Sequence, residues 1–493
     1  MAKRKRDTKS NTTKPTTNGN IETSKIAKTN GHVDVKTAHP VIQIIAGSYE
    51  RVLHGITASV SNLLSSDSSP SVQFTDTFLF NAHASAVRCL ALSPLPEPGS
   101  SEAQGVYLAT GGSDEKINVY SLAASPVSEH DKVPSMPSLG GNAISENPGN
   151  RELGTLLQHS SNVTSLYFPT RSKLLAGSED NTISITRLRD LEVVSTIKAP
   201  RPIVQGQPSG DTAPPGATPA GINDFAVHPS LKLMVSVGRG ERCMRLWNLV
   251  TGKKAGVLNF SRDILQSVKE SKYSSGEGRR IRWNPDGSEF AVLFERGAVV
   301  FGDDSKPKCK VLPQPLTKLH QICYLPLSDG SGKEVTLLVI STEDGRILFY
   351  DTGKGSGTTH PASTSDAVIP EGTLQATVGG KSVGISTRIK DFEILSLPAA
   401  AAQNGDLAIA TASSDGTIRL FSLATSDLLQ AVSSGKPAQL GKMIGSYGTG
   451  NRITCMKAFV MQPPRNIEDD LGDDEDSFEG FDGTSDESAE DSD

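Results

Sequence analysis

A short unit that recurs seven times between residues 44 and 423 constrains this chain most. Each copy is an apolar strand, a turn rich in Asp, Glu, Gly or Arg, and a second strand ending near an aromatic residue. The copies are LATGGSDEKINVYSL (108–122), LLAGSEDNTISITRL (174–188), MVSVGRGERCMRLWNL (234–249), LVISTEDGRILFYDT (338–352), IATASSDGTIRLFSL (409–423) and the weaker IIAGSYERVLHGITA (44–58) and FAVLFERGAVVFGDD (290–304). Such repetition is typical of an array built from one supersecondary unit.

A further strand precedes six of the copies, as in HSSNVTSLYFPT (159–170), and an apolar run follows most of them, as in GVLNF (256–260). Four short antiparallel strands, repeated seven times, are the pattern of a β-propeller. The sequence therefore predicts an all-β fold, a seven-bladed β-propeller. A pair of β-sandwiches is the alternative, but sandwiches would not repeat one unit seven times.

The segment NRITCMKAFV (451–460) lies close to the end of the chain and alternates apolar and polar residues, as a half-buried strand does. An unpaired strand edge promotes aggregation. The first copy, at 44–58, lacks a preceding strand of its own. We therefore predict that 451–460 supplies the innermost strand of the first blade and closes the ring.

Charge is distributed unevenly along the chain. The net charge is −6, but residues 1–38 contain nine Lys/Arg against three Asp/Glu, whereas residues 466–493 contain fourteen Asp/Glu and no Lys/Arg. Both ends are poor in apolar residues, and we expect them to be disordered. The predicted organisation is a basic tail (1–38), a propeller (39–465) and an acidic tail (466–493).

The sequence contains few features of catalysis. The five cysteines are far apart, no C-x-x-C occurs, and the nine histidines do not cluster at metal-ligand spacing. The GGKS at 379–382 lacks the earlier glycine of a phosphate-binding loop. We expect no catalytic, cofactor-binding or metal-binding residues and no small-molecule substrate. No apolar run is long enough to span a membrane, so no membrane association is expected.

The repeated units resemble WD40 repeats over roughly residues 40–460. The marks of this resemblance are a His before the innermost strand (His83, His159), an Asp in the second turn (Asp114, Asp180, Asp344, Asp415), and Trp247-Asn248 and Tyr350-Asp351 where the family has Trp-Asp. The family's His–Asp–Trp network is incomplete in every blade. The resemblance implies that the turns between second and third strands share one face with the loops leading into the first strands.

Several arginines fall on that face. Arg239 and Arg242 share one turn, and Arg279 and Arg280 lead into the adjacent blade. Arginine is suited to bidentate contact with phosphate or carboxylate, so these four form a candidate interaction rim for RNA or an acidic protein. An ordinary solvated surface of mixed charge is the alternative.

The N-terminus carries a compact basic cluster, Lys3, Arg4, Lys5 and Arg6. Such clusters act as nuclear localisation signals, and we predict that role here. A basic head combined with an acidic, serine-containing tail is a composition associated with nucleolar assembly factors. A solubilising role is the alternative for the tail.

Three segments carry a closer resemblance: VIQIIAGSYERVLHGITA (41–58), FLFNAHASAVRCLA (78–91) and GNRITCMKAF (450–459). They resemble the WD40 proteins that interact with p21-activated kinases, whose fungal members are the maintenance-of-killer type of 60S ribosome assembly factor. The resemblance implies a non-enzymatic scaffold of the nucleus and nucleolus, needed for 60S subunit biogenesis and pre-rRNA maturation. Its expected partners are pre-60S proteins, rRNA and p21-activated kinase, which it would restrain. The alternative is a cytoplasmic signalling adaptor that binds and inhibits a protein kinase.

Overall fold

The computed structural model describes residues 39–61, 71–97, 105–127, 144–201, 220–271, 273–328, 334–353, 369–398 and 406–463. The predicted tails (1–38 and 466–493), and with them the cluster Lys3–Arg6, lie outside the described residues. The domain boundaries therefore stay predictions. The described part contains seven sheets, each built on four antiparallel strands, which we number as blades 1 to 7.

The first four blades contain fifteen of the strands, with one more from the end of the chain. Blade 1 comprises β1 (Val41–Ser48), β2 (Val52–Ser61), β3 (Ser71–Asn81) and the last strand, β29 (Ile453–Val460). Blade 2 comprises β4 (Val87–Leu92), β5 (Gly105–Gly112), β6 (Ile117–Ala123) and β7 (Arg151–Leu156). Blade 3 comprises β8 (Val163–Thr170), β9 (Lys173–Ser178), β10 (Thr182–Arg187) and β11 (Glu192–Lys198). Blade 4 comprises β12 (Ile222–Val227), β13 (Leu233–Gly238), β14 (Cys243–Asn248) and β15 (Lys253–Asn259).

The remaining three blades follow in chain order. Blade 5 comprises β16 (Arg280–Trp283), β17 (Glu289–Leu293), β18 (Ala298–Gly302) and β19 (Pro307–Val311). Blade 6 comprises β20 (Leu319–Ser328), β21 (Glu334–Thr342), β22 (Arg346–Asp351), β23 (Thr373–Gly379) and β27 (Ala438–Leu440). Blade 7 comprises β24 (Ile389–Ser396), β25 (Leu407–Ser413), β26 (Thr417–Leu423) and β28 (Lys442–Gly448). The prediction of a seven-bladed propeller is confirmed, and each repeated unit forms the two middle strands of one blade.

The hydrophobic core is divided into layers between neighbouring blades. Seven clusters of buried side chains are found among the described residues, each drawing on two adjacent blades. Middle strands are consequently covered on both faces, and β17 (EFAVL) is buried throughout. This explains why such strands read as short continuous apolar runs instead of alternating patterns.

The ring closes through the last strand. β29 pairs with β1 in antiparallel register, from Ile42 opposite Val460 to Ser48 opposite Ile453. It also contacts β24 on one side and β4 on the other. The pairing that the sequence predicts for 451–460 is thus present, and the first blade is built from both ends of the described chain.

Two α-helices, a short 3-10 helix (Lys381–Val383) and one strand are additions to the four-stranded unit. The helix α1 (Arg262–Ser267) begins at Ser261, whose hydroxyl accepts the N–H of Ile264. The helix α2 (Thr425–Ser434) follows β26 and buries Leu428, Ala431 and Val432. The chain then pairs β27 in parallel with β23, which covers the outer edge of blade 6 and protects it from further strand pairing.

Candidate interaction face and central channel

One face of the ring carries the segments that lead into the innermost strands. In each blade the turn between the second and third strands hydrogen-bonds to the segment that precedes the innermost strand. The N–H to C=O pairs are Tyr49 to Arg452, Ser113 to Ala86, Glu179 to Asn162, Arg239 to Gly221, Glu343 to Lys318 and Ser414 to Arg388, while in blade 5 the N–H of Arg279 binds the carbonyl of Leu293. We call the face formed by these turns and segments the upper face.

Two histidines on the upper face have structural roles. His83 Nδ1 lies 2.9 Å from Asp114 Oδ1, and His159 Nδ1 lies 3.1 Å from Asp180 Oδ2. Burial raises the pKa of Asp180, but hydrogen bonds from His159, Thr182 and the Ser160 N–H outweigh it and hold the pKa well below its usual range. These pairs join the turn to the segment before the innermost strand in blades 2 and 3.

The innermost strands surround a central cavity of about 590 Å³. Every blade contributes to its wall. The contributing residues include Arg88, Thr164, Phe225, Arg280, Gln321, Lys390 and Thr454, one from each innermost strand. We call this cavity the central channel, and the end of it that opens on the upper face its mouth.

A β-bulge lies near the start of six of the seven innermost strands. The register shifts between Val87 and Cys89, between Val163 and Ser165, and at the equivalent points of β12, β20, β24 and β29. A bulge leaves one extra residue unpaired and redirects its side chain. The extra residues are Arg88, Thr164, Asn223, His320 with Gln321, Lys390 and Thr454.

Three of the bulge residues bind the next blade. Thr454 Oγ1 donates to the carbonyl of Val87 at 2.6 Å, and Thr164 Oγ1 donates to the carbonyl of Ile222 at 2.6 Å. Asn223 Nδ2 donates to the carbonyl of Gly278 at 2.9 Å. The small polar bulge residues therefore join neighbouring innermost strands. At the equivalent positions Arg88 and Lys390 carry a charge instead.

Two buried carboxylates also join neighbouring innermost strands. Asp224 accepts from Ser165 Oγ at 2.6 Å, from the Ile281 N–H at 3.1 Å and from Arg282 at 2.6 Å, so it bridges blades 3, 4 and 5. Burial lowers the pKa of Arg282, but Asp224 more than offsets this effect and the pKa is raised. Asp391 similarly accepts from Gln321 Nε2 and from the Met456 N–H, joining blades 6, 7 and 1.

Positive charge is concentrated at the mouth of the channel. Burial lowers the pKa of Lys390, and Arg388, Arg452 and Arg280 lower it further. Burial also lowers the pKa of His320 to about 3, with contributions from Lys390, Arg388, Arg279 and Arg280. Burial is the largest cause of both shifts and the neighbouring cations add to it, although Glu343 acts in the opposite sense on the pKa of Lys390.

Three of the four arginines of the predicted rim lie in the turns and segments of the upper face, and the fourth lies at the mouth of the channel. Arg239 pairs with Glu179 at 3.0 Å, and Arg279 lies 3.6 Å from Glu295. Arg242 donates to the carbonyls of Ser275 and Ser274 at 2.9 and 3.2 Å, which ties its turn to the segment that leads into β16. Arg280 instead lines the channel. Their role in binding stays a prediction.

Sequence reasoning missed the channel-lining cations Arg88 and Lys390. Each directly follows a buried aliphatic residue at the start of an innermost strand, in VRCLAL and IKDFEI. A residue-by-residue alignment of the innermost strands could have found them. Arg88 and Lys390 occupy the bulge position at which several other blades have a threonine or an asparagine.

Cysteine, histidine and carboxylate side chains are dispersed over the described part of the chain. No group of three or more His, Cys, Asp and Glu residues there could hold a metal ion. Burial raises the pKa of Cys309, Cys323 and Cys455 to about 12, so these thiols are protonated at neutral pH and are poor nucleophiles. None of the helices that the structure describes is long and apolar enough to cross a bilayer.

Comparison with known proteins agrees with this geometry. Residues 150–186, which contain most of blade 3, match the model of the WD domain, G-beta repeat. The fold is a WD40-type β-propeller. This confirms the resemblance predicted from the repeated units. The remaining blades of the WD40 ring follow the same strand order.

Relatives match most of the WD40 ring. "Protein MAK11" of Saccharomyces cerevisiae is 25% identical over 440 residues, covering 84% of this chain and 82% of the relative. "p21-activated protein kinase-interacting protein 1-like" of Gallus gallus is 23% identical, covering 85% and 81%. "Shk1 kinase-binding protein 15" of Schizosaccharomyces pombe is 24% identical, covering 87% and 89%. The predicted resemblance to the p21-activated-kinase-interacting proteins is confirmed as a similarity over most of the chain.

Proposed function

We propose that this WD40 ring is a non-enzymatic scaffold of the nucleus and nucleolus, required for 60S ribosomal subunit biogenesis and pre-rRNA maturation. This proposal rests mainly on the similarity to MAK11, which extends over 84% of the chain. The family resemblance of the first blade and of the closing strand supports the same assignment. Its partners are pre-60S proteins and rRNA.

The geometry is compatible with docking. Seven blades joined by side chains such as Asp224 and Thr454 form a closed ring, and a rigid ring presents its loops in fixed positions, which lowers the entropic cost of binding. The upper face combines arginines with exposed apolar side chains. Propellers support many functions, however, so the fold alone assigns none.

A second function is favoured by the names of the other relatives. Proteins described as p21-activated protein kinase-interacting and Shk1 kinase-binding match as much of the chain as MAK11 does. The alternative is therefore a cytoplasmic adaptor that binds and inhibits a protein kinase of this class.

Purification of a tagged protein from cells separates the two functions. A 60S factor will co-purify with 27S-type precursor rRNA and ribosomal proteins, and will sediment with precursor particles. A kinase adaptor will remain in a soluble cytoplasmic pool and co-purify with a kinase. Absence of precursor rRNA from the purified fraction would contradict the first proposal.

We expect the cluster at the N-terminus to direct nuclear import. Replacing Lys3, Arg4, Lys5 and Arg6 with Ala should lower the nuclear fraction, because importins recognise compact basic clusters. Fluorescence microscopy of the tagged variant measures this fraction. Replacing Lys25, Lys28 and Lys36, which are spread through the same tail, is the matched control. Unchanged nuclear accumulation of the first variant would assign import to another segment or to a partner.

The rim arginines are expected to contact rRNA or an acidic partner. Changing Arg239, Arg242, Arg279 and Arg280 to Glu should release the protein from 60S precursors, because reversed charges repel phosphate and carboxylate alike. Sedimentation with precursor particles measures this release. If phosphates are the target, rising salt will weaken the wild-type association.

The control for this experiment is a charge reversal on the opposite face. Arg189 and Lys232 are exposed and lie in turns at the other end of the strands, so their change to Glu should leave sedimentation unchanged. Melting temperatures are measured for both variants, since the first one also removes the pairing of Arg239 with Glu179. A folded rim variant that still co-sediments fully would remove this rim as the contact site.

A further inference from the structure

Charge is unbalanced along the wall of the central channel. Five cations line it (Arg88, Arg280, Arg282, Lys390 and Lys457), against the two carboxylates Asp391 and Glu393. Arg282 pairs with the buried Asp224, and Lys457 pairs with Glu393. Arg88 has only a 3.8 Å contact with Glu179. Among the described residues, Arg280 and Lys390 form no ion pair.

The unpaired cations lie at the mouth. Arg280 and Lys390 stand at the start of β16 and β24, and these strands begin at the upper face. Arg388 and Arg452, in the segments that lead into β24 and β29, add to the positive potential felt by Lys390. Half-buried cations that repel one another destabilise a fold. A site that keeps them is a candidate for binding an anion.

Carboxylates surround this centre further out on the upper face. Glu295 contacts both Arg279, at 3.6 Å, and Lys318, at 2.9 Å, and Glu343 lies 4.0 Å from Arg388. A phosphate backbone crossing the face would pass these acidic groups. A single short anionic segment entering the mouth would meet only the excess positive charge. The arrangement favours a local anion over an extended nucleic acid.

Exposed apolar side chains occur in the same turns and segments. Tyr49, beside Arg452, is 61% exposed, Leu157 is 74% exposed, and Tyr273 is 99% exposed. Tyrosine and arginine are enriched where proteins bind proteins. Apolar residues on the same face as a cationic centre fit a peptide that carries both acidic and apolar side chains.

We propose that the mouth of the channel binds an acidic segment of a partner protein, with a carboxylate of that segment contacting Arg280 and Lys390. This inference deepens the scaffold role proposed above, on which it rests for the existence of a partner. It names the class of that partner, a protein that presents a short acidic segment. It also adds Lys390, Arg388 and Arg452 to the predicted rim.

The acidic segment at 466–493 of this chain is a less suitable occupant. β29 begins at the mouth and runs toward the opposite face, where the side chain of Gln462 donates to the carbonyl of Pro96 and its N–H binds the carbonyl of Ala124. The chain thus leaves the described part at the far end of the channel. A segment from another protein can approach the mouth directly.

The test uses the full-length protein and two labelled probes, a hexaglutamate peptide and an oligouridylate of equal charge, in fluorescence anisotropy titrations. We expect the wild-type protein to bind the peptide. The double variant R280Q/K390Q should bind it about tenfold more weakly or worse, because a charge-assisted hydrogen bond contributes about one factor of ten. The charge-retaining variant R280K/K390R should bind like the wild type.

Two controls separate binding from structure. The variant R189Q/K232Q removes one Arg and one Lys from the opposite face, so its peptide affinity should not change. The melting temperature of R280Q/K390Q should equal or exceed that of the wild type, since the substitutions relieve repulsion between cations. A lower melting temperature would assign these residues a structural role and overturn the proposal.

Other results would also overturn it. Equal peptide affinity of R280Q/K390Q and the wild type would exclude the mouth, and no peptide binding by the full-length chain would do the same. Preferential binding of the oligouridylate, lost in the same variant, would make the mouth an RNA site. Because these titrations contain no precursor particles, failure of the 60S proposal leaves their outcome unaffected.

Discussion

Removal of residues 449–493 will abolish cooperative unfolding of the ring, whereas removal of 466–493 will leave it intact. The longer deletion takes away β29, whose side chains Ile453, Met456 and Phe459 are at most 5% exposed. Burial of three such side chains contributes roughly 5–9 kcal/mol, which is comparable to the whole net stability of a typical domain.

The longer deletion also breaks specific contacts in two neighbouring blades. Asp391 loses the Met456 N–H, and the carbonyl of Val87 loses the hydroxyl of Thr454. A buried polar group without a partner costs about 1–3 kcal/mol. In addition, β1 becomes an open edge that promotes aggregation.

Circular dichroism and calorimetry of the two truncated proteins measure the effect. The shorter deletion is the matched control, since it removes only residues beyond the described part of the chain. A co-expressed fragment containing residues 449–463 should restore the fold of the longer deletion. A cooperative transition at the wild-type temperature without 449–493 would contradict the idea that this strand closes the ring.

Much of the fold could be predicted from sequence because the repeated signal is local. In each blade an apolar strand, a polar turn and a second apolar strand follow one another within sixteen residues, and the turn lies on the surface. Closure could be predicted as well, since 44–58 lacked a partner that 451–460 could supply. Both predictions, of the blades and of the closing strand, required only the pattern of apolar and polar residues along short segments.

The additions after β26 could not be predicted in this way. The helix α2 and the strand β27 cover blade 6, although they follow a strand of blade 7 in sequence. Their position depends on the apolar surface offered by Leu428 and Val432 to a neighbouring blade. Such contacts between units are not visible in the repeat pattern of one unit.

The position of the candidate rim could be predicted in part, while its role in binding stays a prediction. The rim arginines could be placed on one face from turn positions, but the surplus of cations in the channel depends on which of them find carboxylates. That pairing is set by contacts between blades, as for Arg282 with Asp224. One sequence pattern did mark these contacts. The segments INDF (222–225) and IKDF (389–392) share I-x-D-F, and both aspartates are buried bridges between blades.

The change of Asp224 to Ala should lower the free energy of unfolding by about 3–5 kcal/mol, the usual cost of removing one partner of a buried ion pair. Asp224 is fully buried and is the common acceptor for Ser165, the Ile281 N–H and Arg282. Its loss leaves the Arg282 guanidinium without its carboxylate, and the Ser165 hydroxyl and the Ile281 N–H without the acceptor that they share. Denaturant unfolding of the purified variant measures the effect.

A double-mutant cycle identifies the cause of this loss. In D224A/R282L the unpaired cation is gone, so about half of the stability or more should return, because an apolar replacement of a buried pair is often tolerated. The matched control is D190A, since Asp190 lies 3.1 Å from Arg187 in an ion pair whose side chains are 35% and 50% exposed; its cost should stay within about 0.5 kcal/mol. If D224A and D190A were equally mild, the innermost strands would be held by the apolar layers alone. A large loss in D224A with no recovery in the double variant would instead assign the bridging to the hydrogen bonds from Ser165 and Ile281. In either case the cycle separates the stability contributed by the Asp224–Arg282 ion pair from that contributed by the hydrogen bonds that Asp224 accepts from Ser165 and Ile281.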